Sequence, residues 1–228
     1  MAEGPIALAP FVEALDHRFA QPALLDEALT HPSAASGAKP DYERLEFLGD
    51  RVLGLVVADL LLRRYPDEKE GALAKRYAAL VCREALAQIA GEIGLGSHLR
   101  LSEGEDAAAT RENPACLADS LEAVIAALYL DGGLAVVARF IARHWQGLLE
   151  GMPHPPQDPK TRLQEWAQAR GLALPDYATV AQAGPDHKPT FQVEVRVEGF
   201  SPCRADGPSK RLAETAAAAA FLDKEELS

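Results

Sequence analysis

The stretch Asp41-Tyr42-Glu43-Arg44-Leu45-Glu46-Phe47-Leu48-Gly49-Asp50-Arg51-Val52-Leu53 decides how the chain is read. Wound as a helix at ~100° per residue, it places Glu43, Glu46 and Asp50 within about 60° of one another. Leu45, Leu48, Val52, Leu55 and Val56 fall on the opposite side and form a regular core stripe. Packing therefore does not require the acids. Like charges one turn apart repel by a few tenths of a kcal/mol per pair, so either solvent screens them or a cation sits among them. Phe47 lies at the edge of the acidic face and needs a cover, supplied by a neighbouring helix or by a second subunit.

A second stretch repeats the device in a more apolar setting. Cys116-Leu117-Ala118-Asp119-Ser120-Leu121-Glu122-Ala123-Val124-Ile125 sets Asp119 and Glu122 one turn apart on a predicted helix. A solvated face explains most acid pairs of this kind. Here the flanks are strongly apolar and no comparable density of Lys or Arg balances them. Two such helices projecting acids toward one point would offer the hard oxygen ligands and open water positions that Mg²⁺ prefers.

Outward from these helices, Ala, Leu, Glu and Arg recur with apolar residues at three and four spacing. Helices are predicted within Phe11 to Phe19, Leu24 to Thr30, Arg44 to Tyr65, Leu73 to Ile93 and Ala115 to Leu149. Gly151-Met152-Pro153-His154-Pro155-Pro156-Gln157 carries three prolines and breaks this pattern. The reading is an all-α domain over 1–150, a linker over 151–157 and a second domain over 158–228. Beyond the linker the period changes. Asp158 caps a helix with Pro159 at its first position. Tyr177 to Ala183 reads as a strand, Gly184 to His187 as a turn, and Phe191, Val193, Val195 and Val197 alternate with polar residues in a half-buried strand. A third strand surrounds Cys203, and Ser209 caps a helix running to about Leu222. The second domain is thus a small α+β unit in the order α-β-β-β-α.

With 228 residues, 48% hydrophobic and 25% charged, the composition is that of a globular chain of one or two domains, not of a disordered tail. The most apolar segment, Ala115 to Leu130, contains Asp119 and Glu122, so no membrane span is expected. Met1 to Phe11 lacks a basic start before its apolar residues, which argues against a signal peptide and for a cytoplasmic location. Cys82, Cys116 and Cys203, without CxxC spacing, read as structural thiols. The net charge of −11 argues at first against nucleic acid. Its distribution changes that: 14 basic and 23 acidic residues precede His154, against 9 and 11 from there onward.

Glu43-Arg44-Leu45-Glu46-Phe47-Leu48-Gly49-Asp50 resembles the signature of bacterial ribonuclease III, and Leu117-Ala118-Asp119-Ser120-Leu121-Glu122-Ala123 resembles its second acidic motif. Glu70-Gly71-Ala72-Leu73-Ala74-Lys75 is similar to the family's intermediate segment, and Thr30-His31-Pro32-Ser33 to its early element. Leu163-Gln164-Glu165-Trp166, Gly184-Pro185-Asp186-His187 and Ser209-Lys210-Arg211-Leu212-Ala213-Glu214 resemble three stations of the double-stranded RNA-binding domain. Tyr42, Arg51 and Ala205 depart from the family pattern, where asparagine, a small residue and glycine are usual.

The resemblance implies a catalytic set of Glu46, Asp50, Asp119 and Glu122, with Glu46, Asp119 and Glu122 as Mg²⁺ ligands and Mn²⁺ as a possible substitute. Glu43 and Glu70 become secondary acids of the catalytic valley, and Phe47 a hydrophobic plug at the interface of a homodimer. No small-molecule cofactor is implied. The implied reaction is hydrolysis of double-stranded RNA to 5′-phosphate and 3′-hydroxyl ends with short 3′ overhangs, in processing of ribosomal RNA precursors and some messenger RNAs.

A-form RNA hides its bases in a deep, narrow major groove, so recognition falls to 2′-hydroxyls and phosphates. Gln164 and Gln168, one turn apart, suit minor-groove 2′-hydroxyls, and His187 suits the next minor groove. Lys210 and Arg211 combine charge with the free N–H groups of a helix start. The alternative is a double-stranded RNA-binding protein that does not cut, which would be expected to have lost at least one of the four central acids. An acidic helical scaffold would leave Lys210 and Arg211 unexplained.

Overall fold

Helices α3 (Glu43–Arg64) and α7 (Pro114–Gly132) lie against each other in a computed structural model that describes residues 8–35, 40–102, 107–185 and 189–226. The chain divides into two compact units, Met1–Pro156 and Gln157–Ser228. Helix α7 starts where Asn113 accepts a hydrogen bond from the Ala115 N–H at 2.9 Å and Pro114 takes the first turn. Its residues Leu121, Val124, Ile125 and Leu128 are completely buried. They meet Leu45, Val52, Leu53, Val56 and Val57 of α3 in one hydrophobic core.

Around this pair run α1 (Leu8–Leu15), α2 (Pro22–Ala28), α4 (Glu70–Leu80), α5 (Arg83–Glu92), α6 (Ala107–Glu112), α8 (Leu134–His144) and α9 (Gln146–Glu150). Two long predicted helices are each divided. The segment from Leu73 to Ile93 breaks at Cys82, whose extended backbone (φ −73°, ψ 158°) separates α4 from α5. The segment from Ala115 to Leu149 breaks at Gly133, which takes a left-handed φ of 75°, and again at Trp145. Trp145 is fully buried and donates its indole N–H to the Leu80 carbonyl at 2.8 Å. Leu55, expected in the core stripe, is 58% exposed, because the buried face of α3 drifts toward Leu53, Val57 and Leu61. Helix α6 has no counterpart in the sequence reading, being only six residues long.

The proline-rich stretch begins fastened to the helical unit. Arg76, 1% exposed, donates from Nη1 to the Met152 carbonyl at 2.5 Å and from Nη2 to the Pro153 carbonyl at 3.4 Å. Its Nε and Nη2 meet the Glu68 carboxylate at 2.9 and 2.7 Å, and its guanidinium lies 3.9 Å from the Tyr65 ring centre. Among the described residues no helix is long and apolar enough to cross a membrane.

The second unit has the α-β-β-β-α order read from the sequence: α10 (Pro159–Ala169), β1 (Asp176–Ala183), β2 (Thr190–Arg196), β3 (Cys203–Gly207) and α11 (Lys210–Glu226). Asp158 caps α10 by accepting from the N–H groups of Lys160 and Thr161 at 3.0 and 3.2 Å. The strands form an antiparallel sheet in the order β1-β2-β3, with Thr179 opposite Val193 and Val195 opposite Cys203. Leu163 and Ala167 of α10 and Ala217, Ala218, Phe221 and Leu222 of α11 pack with Val195 and Val197. At Gly207 a side chain would fall 2.5 Å from the Ala213 nitrogen, so glycine lets β3 run against α11. Glu194 departs from the predicted alternation: it is 3% exposed and held by Arg204 at 2.5 Å and Arg196 at 2.7 Å. Those two guanidinium groups, Arg204 first, keep its carboxyl below the usual range.

Candidate active site and nucleic-acid interface

Glycine at position 49 brings the two acidic helices together. A Cβ there would lie 1.8 Å from the Glu122 carbonyl oxygen, so α3 rests its bare backbone on α7 at the level of the second acid pair. Glu46 and Asp50, on either side of that contact, are thereby set against Asp119 and Glu122. Glu46, Asp119 and Glu122 are half-buried, whereas Glu43 and Asp50 are exposed.

Glu122 and Glu46 feel the other central acids. Burial raises the Glu122 carboxyl to about 7, and the charges of Asp50, Glu46 and Asp119 push in the same direction while Arg51 opposes them. Burial, then Asp119, Glu43 and Asp50, raise Glu46. Asp119 is raised by burial, with Arg83 and His31 working against it. Tyr42, 4% exposed, lies beside Cys116, Asp119 and Glu46 and is itself held far above its ordinary phenol value, chiefly by burial.

Among the described residues no three of these side chains already converge as a metal cage. The donor set nevertheless fits a hard divalent cation. It is all carboxylate, it carries more negative charge than its neighbours balance, and Glu122, Glu46 and Asp119 are held above their ordinary values, by burial first, so a bound cation would favour their charged forms.

Glu43 belongs to this group through its effect on Glu46. Glu70 does not. It stands at the start of α4 and lines an apolar pocket of about 530 Å³ with Ala58, Leu61, Leu62, Leu73 and Tyr77, toward the C-terminal end of α3. Phe47 is 65% exposed among the described residues. Arg51 stacks its guanidinium 4.0 Å from the Phe47 ring centre and donates to Asp50 at 2.9 Å.

On the second unit, Gln164 and Gln168 are exposed on α10, and Lys210 and Arg211 are exposed in the first turn of α11. Ser209 starts that helix by accepting from the Leu212 N–H at 3.3 Å. His187 lies outside the described residues.

Several contributors escaped the sequence reading. Gly49 was quoted only as part of a motif, although a glycine inside a 22-residue helix is a signal of close approach. Arg83 carries no spacing cue because it reaches Asp119 from another helix. His31, quoted above only within Thr30 to Ser33, accepts at Nδ1 from the Ser33 N–H at 3.1 Å and also influences Asp119.

The chain thus joins a helical unit built on paired acidic helices to an α-β-β-β-α unit. Residues 21–147 match the family described as Ribonuclease-III-like, and residues 159–225 match the Double-stranded RNA binding motif. Ribonuclease 3 of Methylocella silvestris is 47% identical over 226 residues, covering 97% of this chain and 96% of the relative. Ribonuclease 3 of Azorhizobium caulinodans is 49% identical over 214 residues, covering 92% and 91%. The nuclease domain of ribonuclease III from Campylobacter jejuni superposes with a TM-score of 0.58 at 34% identity, covering 65% of this chain and 98% of that one. The chain belongs to the ribonuclease III family.

Proposed function

We propose that the chain is an endoribonuclease that cuts both strands of double-stranded RNA, acting as a homodimer with a divalent cation, Mg²⁺ or in its place Mn²⁺. The observation that carries this reading is the group of Glu46, Asp50, Asp119 and Glu122, set together by a helix contact that only glycine permits. The matching nuclease and RNA-binding families, and relatives named Ribonuclease 3, support it.

Glu46, Asp119 and Glu122 would hold the cation, with Asp50 beside them. Bound there, the cation supplies a water of lowered pKa and positive charge for a non-bridging phosphate oxygen. The protein's own part is to present deprotonated oxygens. Glu122, whose carboxyl burial raises to about 7, would act as a ligand in its deprotonated form. Buried Tyr42 and the α3–α7 contact fix the helices from which these oxygens project. Products would bear 5′-phosphates and 3′-hydroxyls with short 3′ overhangs, and the substrates would include ribosomal RNA precursors and some messenger RNAs, in the cytoplasm.

Phe47 is the plug of the dimer in this reading, and the apolar pocket near Leu62 and Tyr77 is its receptor. Glu70 keeps its secondary role in this reading as an acid lining the pocket that would receive the plug. Gln164, Gln168, His187, Lys210 and Arg211 supply affinity for the A-form duplex, offsetting the repulsion of an acidic catalytic surface. The residues 151–157 act as linker between the domains.

The test is cleavage of a long, perfectly paired RNA in Mg²⁺ by the wild type and by Glu122→Gln, with binding of both measured in Ca²⁺. Cutting by the wild type alone, with binding by both, supports the reading. A wild type that binds but never cuts in Mg²⁺ or Mn²⁺ makes the chain a binder.

A further inference from the structure

We propose that Arg51 couples subunit docking to cation binding, because its single guanidinium ties the exposed plug Phe47 to the active-site carboxylate of Asp50. The inference rests on the plug and acid-site reading given above. Arg51 Nη1 donates to Asp50 Oδ2 at 2.9 Å and to the Phe47 carbonyl at 3.0 Å, while the guanidinium carbon lies 4.0 Å from the Phe47 ring centre. Phe47 and Arg51 stand four residues apart on α3, the spacing at which helical side chains meet, and Asp50 is the residue between their turns. A planar guanidinium can stack with its face and donate from its edge at the same time, which an ammonium cannot.

Each of the two contacts is released by one event of the proposed cycle. Seating Phe47 in a second copy withdraws the ring from Arg51. A divalent cation held by Glu46, Asp119 and Glu122 beside Asp50 would, as a doubly charged neighbour, compete with the guanidinium for the Asp50 carboxylate. Ordering one long, exposed side chain costs conformational entropy once for both contacts, so either contact is weaker when the other is gone. The event that comes first therefore makes the second easier, and the linkage is reciprocal: cation tightens the dimer and the dimer tightens the cation. Both contacts are solvent-exposed, so the bias is small, about two- to fivefold. Arg51 is a positioning residue here. It also supplies the one opposing charge that Glu122 feels from α3, which fits a resident counter-ion placed where a cation will later sit.

The experiment is sedimentation of the fluorescently labelled full-length chain at nanomolar concentration, with and without saturating Ca²⁺, alongside Ca²⁺ binding isotherms, for wild type, Arg51→Ala and Arg51→Lys. Circular dichroism verifies that the variants fold. The expected result is a Ca²⁺-induced tightening of the wild-type dimer that exceeds that of Arg51→Ala by about two- to fivefold, with Arg51→Lys behaving like Arg51→Ala. Equal Ca²⁺ effects in wild type and Arg51→Ala, with dimers and binding intact, overturn the coupling alone. A wild type that neither dimerises nor binds Ca²⁺ removes the underlying reading, and the coupling with it.

Discussion

Gly49 of α3 touches the backbone of Glu122 of α7 so closely that a methyl group there would overlap the Glu122 carbonyl, at 1.8 Å from its oxygen and 2.4 Å from its carbon. Backbone cannot step aside as a flexible side chain can. Gly49→Ala gains up to about 1 kcal/mol of helix propensity, but the overlap forces α3 and α7 apart and costs about 3 kcal/mol. Thermal denaturation should show a net loss of about 2 kcal/mol, with cleavage falling much further than folding does. An alanine variant as stable and as active as the wild type would show that the helices are not held by this contact.

The same pair shows how much of the molecule was legible in advance. The periodicity of Glu43 to Val56 and the apolar run after Pro114 marked both acidic helices, and Asp158-Pro159 marked the start of the second unit, because caps and stripes are local properties of the sequence. What local pattern cannot carry is which helices touch. The breaks at Cys82 and Trp145 lie in stretches without proline whose apolar spacing continues through them, and tertiary packing, such as the burial of Trp145 on the Leu80 carbonyl, decides where they fall. Leu55 looked like core for the same reason: its stripe position was right for a straight helix facing one neighbour, but α3 buries a different arc. The influence of Arg83 and His31 on Asp119 joins segments that no spacing rule relates.

Glu122 makes the metal-free protein less stable as pH rises. Its carboxyl is raised from 4.5 to about 7 in the folded state, so between those values the folded chain holds more proton than the unfolded chain. Stability is then lost as pH climbs through that window. The full shift corresponds to at most roughly 3 kcal/mol, and about half of that after allowance for solvent around a half-buried group. Glutamine cannot ionise. Glu122→Gln should match the wild type at pH 5 and exceed it by about 1.5 kcal/mol at pH 8, measured by urea denaturation in a chelator. Parallel pH profiles for the two proteins would rule out a raised carboxyl at this position.

Arg76 and Glu68 form a buried pair whose two halves are not equivalent. Arg76 is inside, with Tyr65 on its face and the Met152 and Pro153 carbonyls at its edge, whereas Glu68 reaches the surface. Glu68→Ala strands a buried cation and should be the more destabilising of the two changes. Arg76→Met replaces the cation with an apolar chain of similar length and should cost less, about 1 kcal/mol, while leaving the two carbonyls to water. Denaturation midpoints for both variants decide the ranking. If Arg76→Met is the more damaging, the fastening of residues 152–153 contributes more than the avoidance of a stranded charge.

Lys210 and Arg211 should act on RNA through charge, and Gln164 through hydrogen bonding. Both cations are exposed in the first turn of α11, where their charge opposes the helix dipole and a helix start favours an anion such as a phosphate. Each phosphate contact releases counter-ions, so the slope of log affinity against log salt should fall by about 0.7 to 0.9 for each of Lys210→Ala and Arg211→Ala. Binding should weaken to the same degree on duplexes of any sequence. Gln164→Ala, by contrast, should weaken binding to RNA with its salt slope unchanged, because a 2′-hydroxyl contact displaces no counter-ion. Titrations of one duplex with all three variants at several salt concentrations separate the two roles. An unchanged slope for both cation variants would place the phosphate contacts elsewhere on the unit.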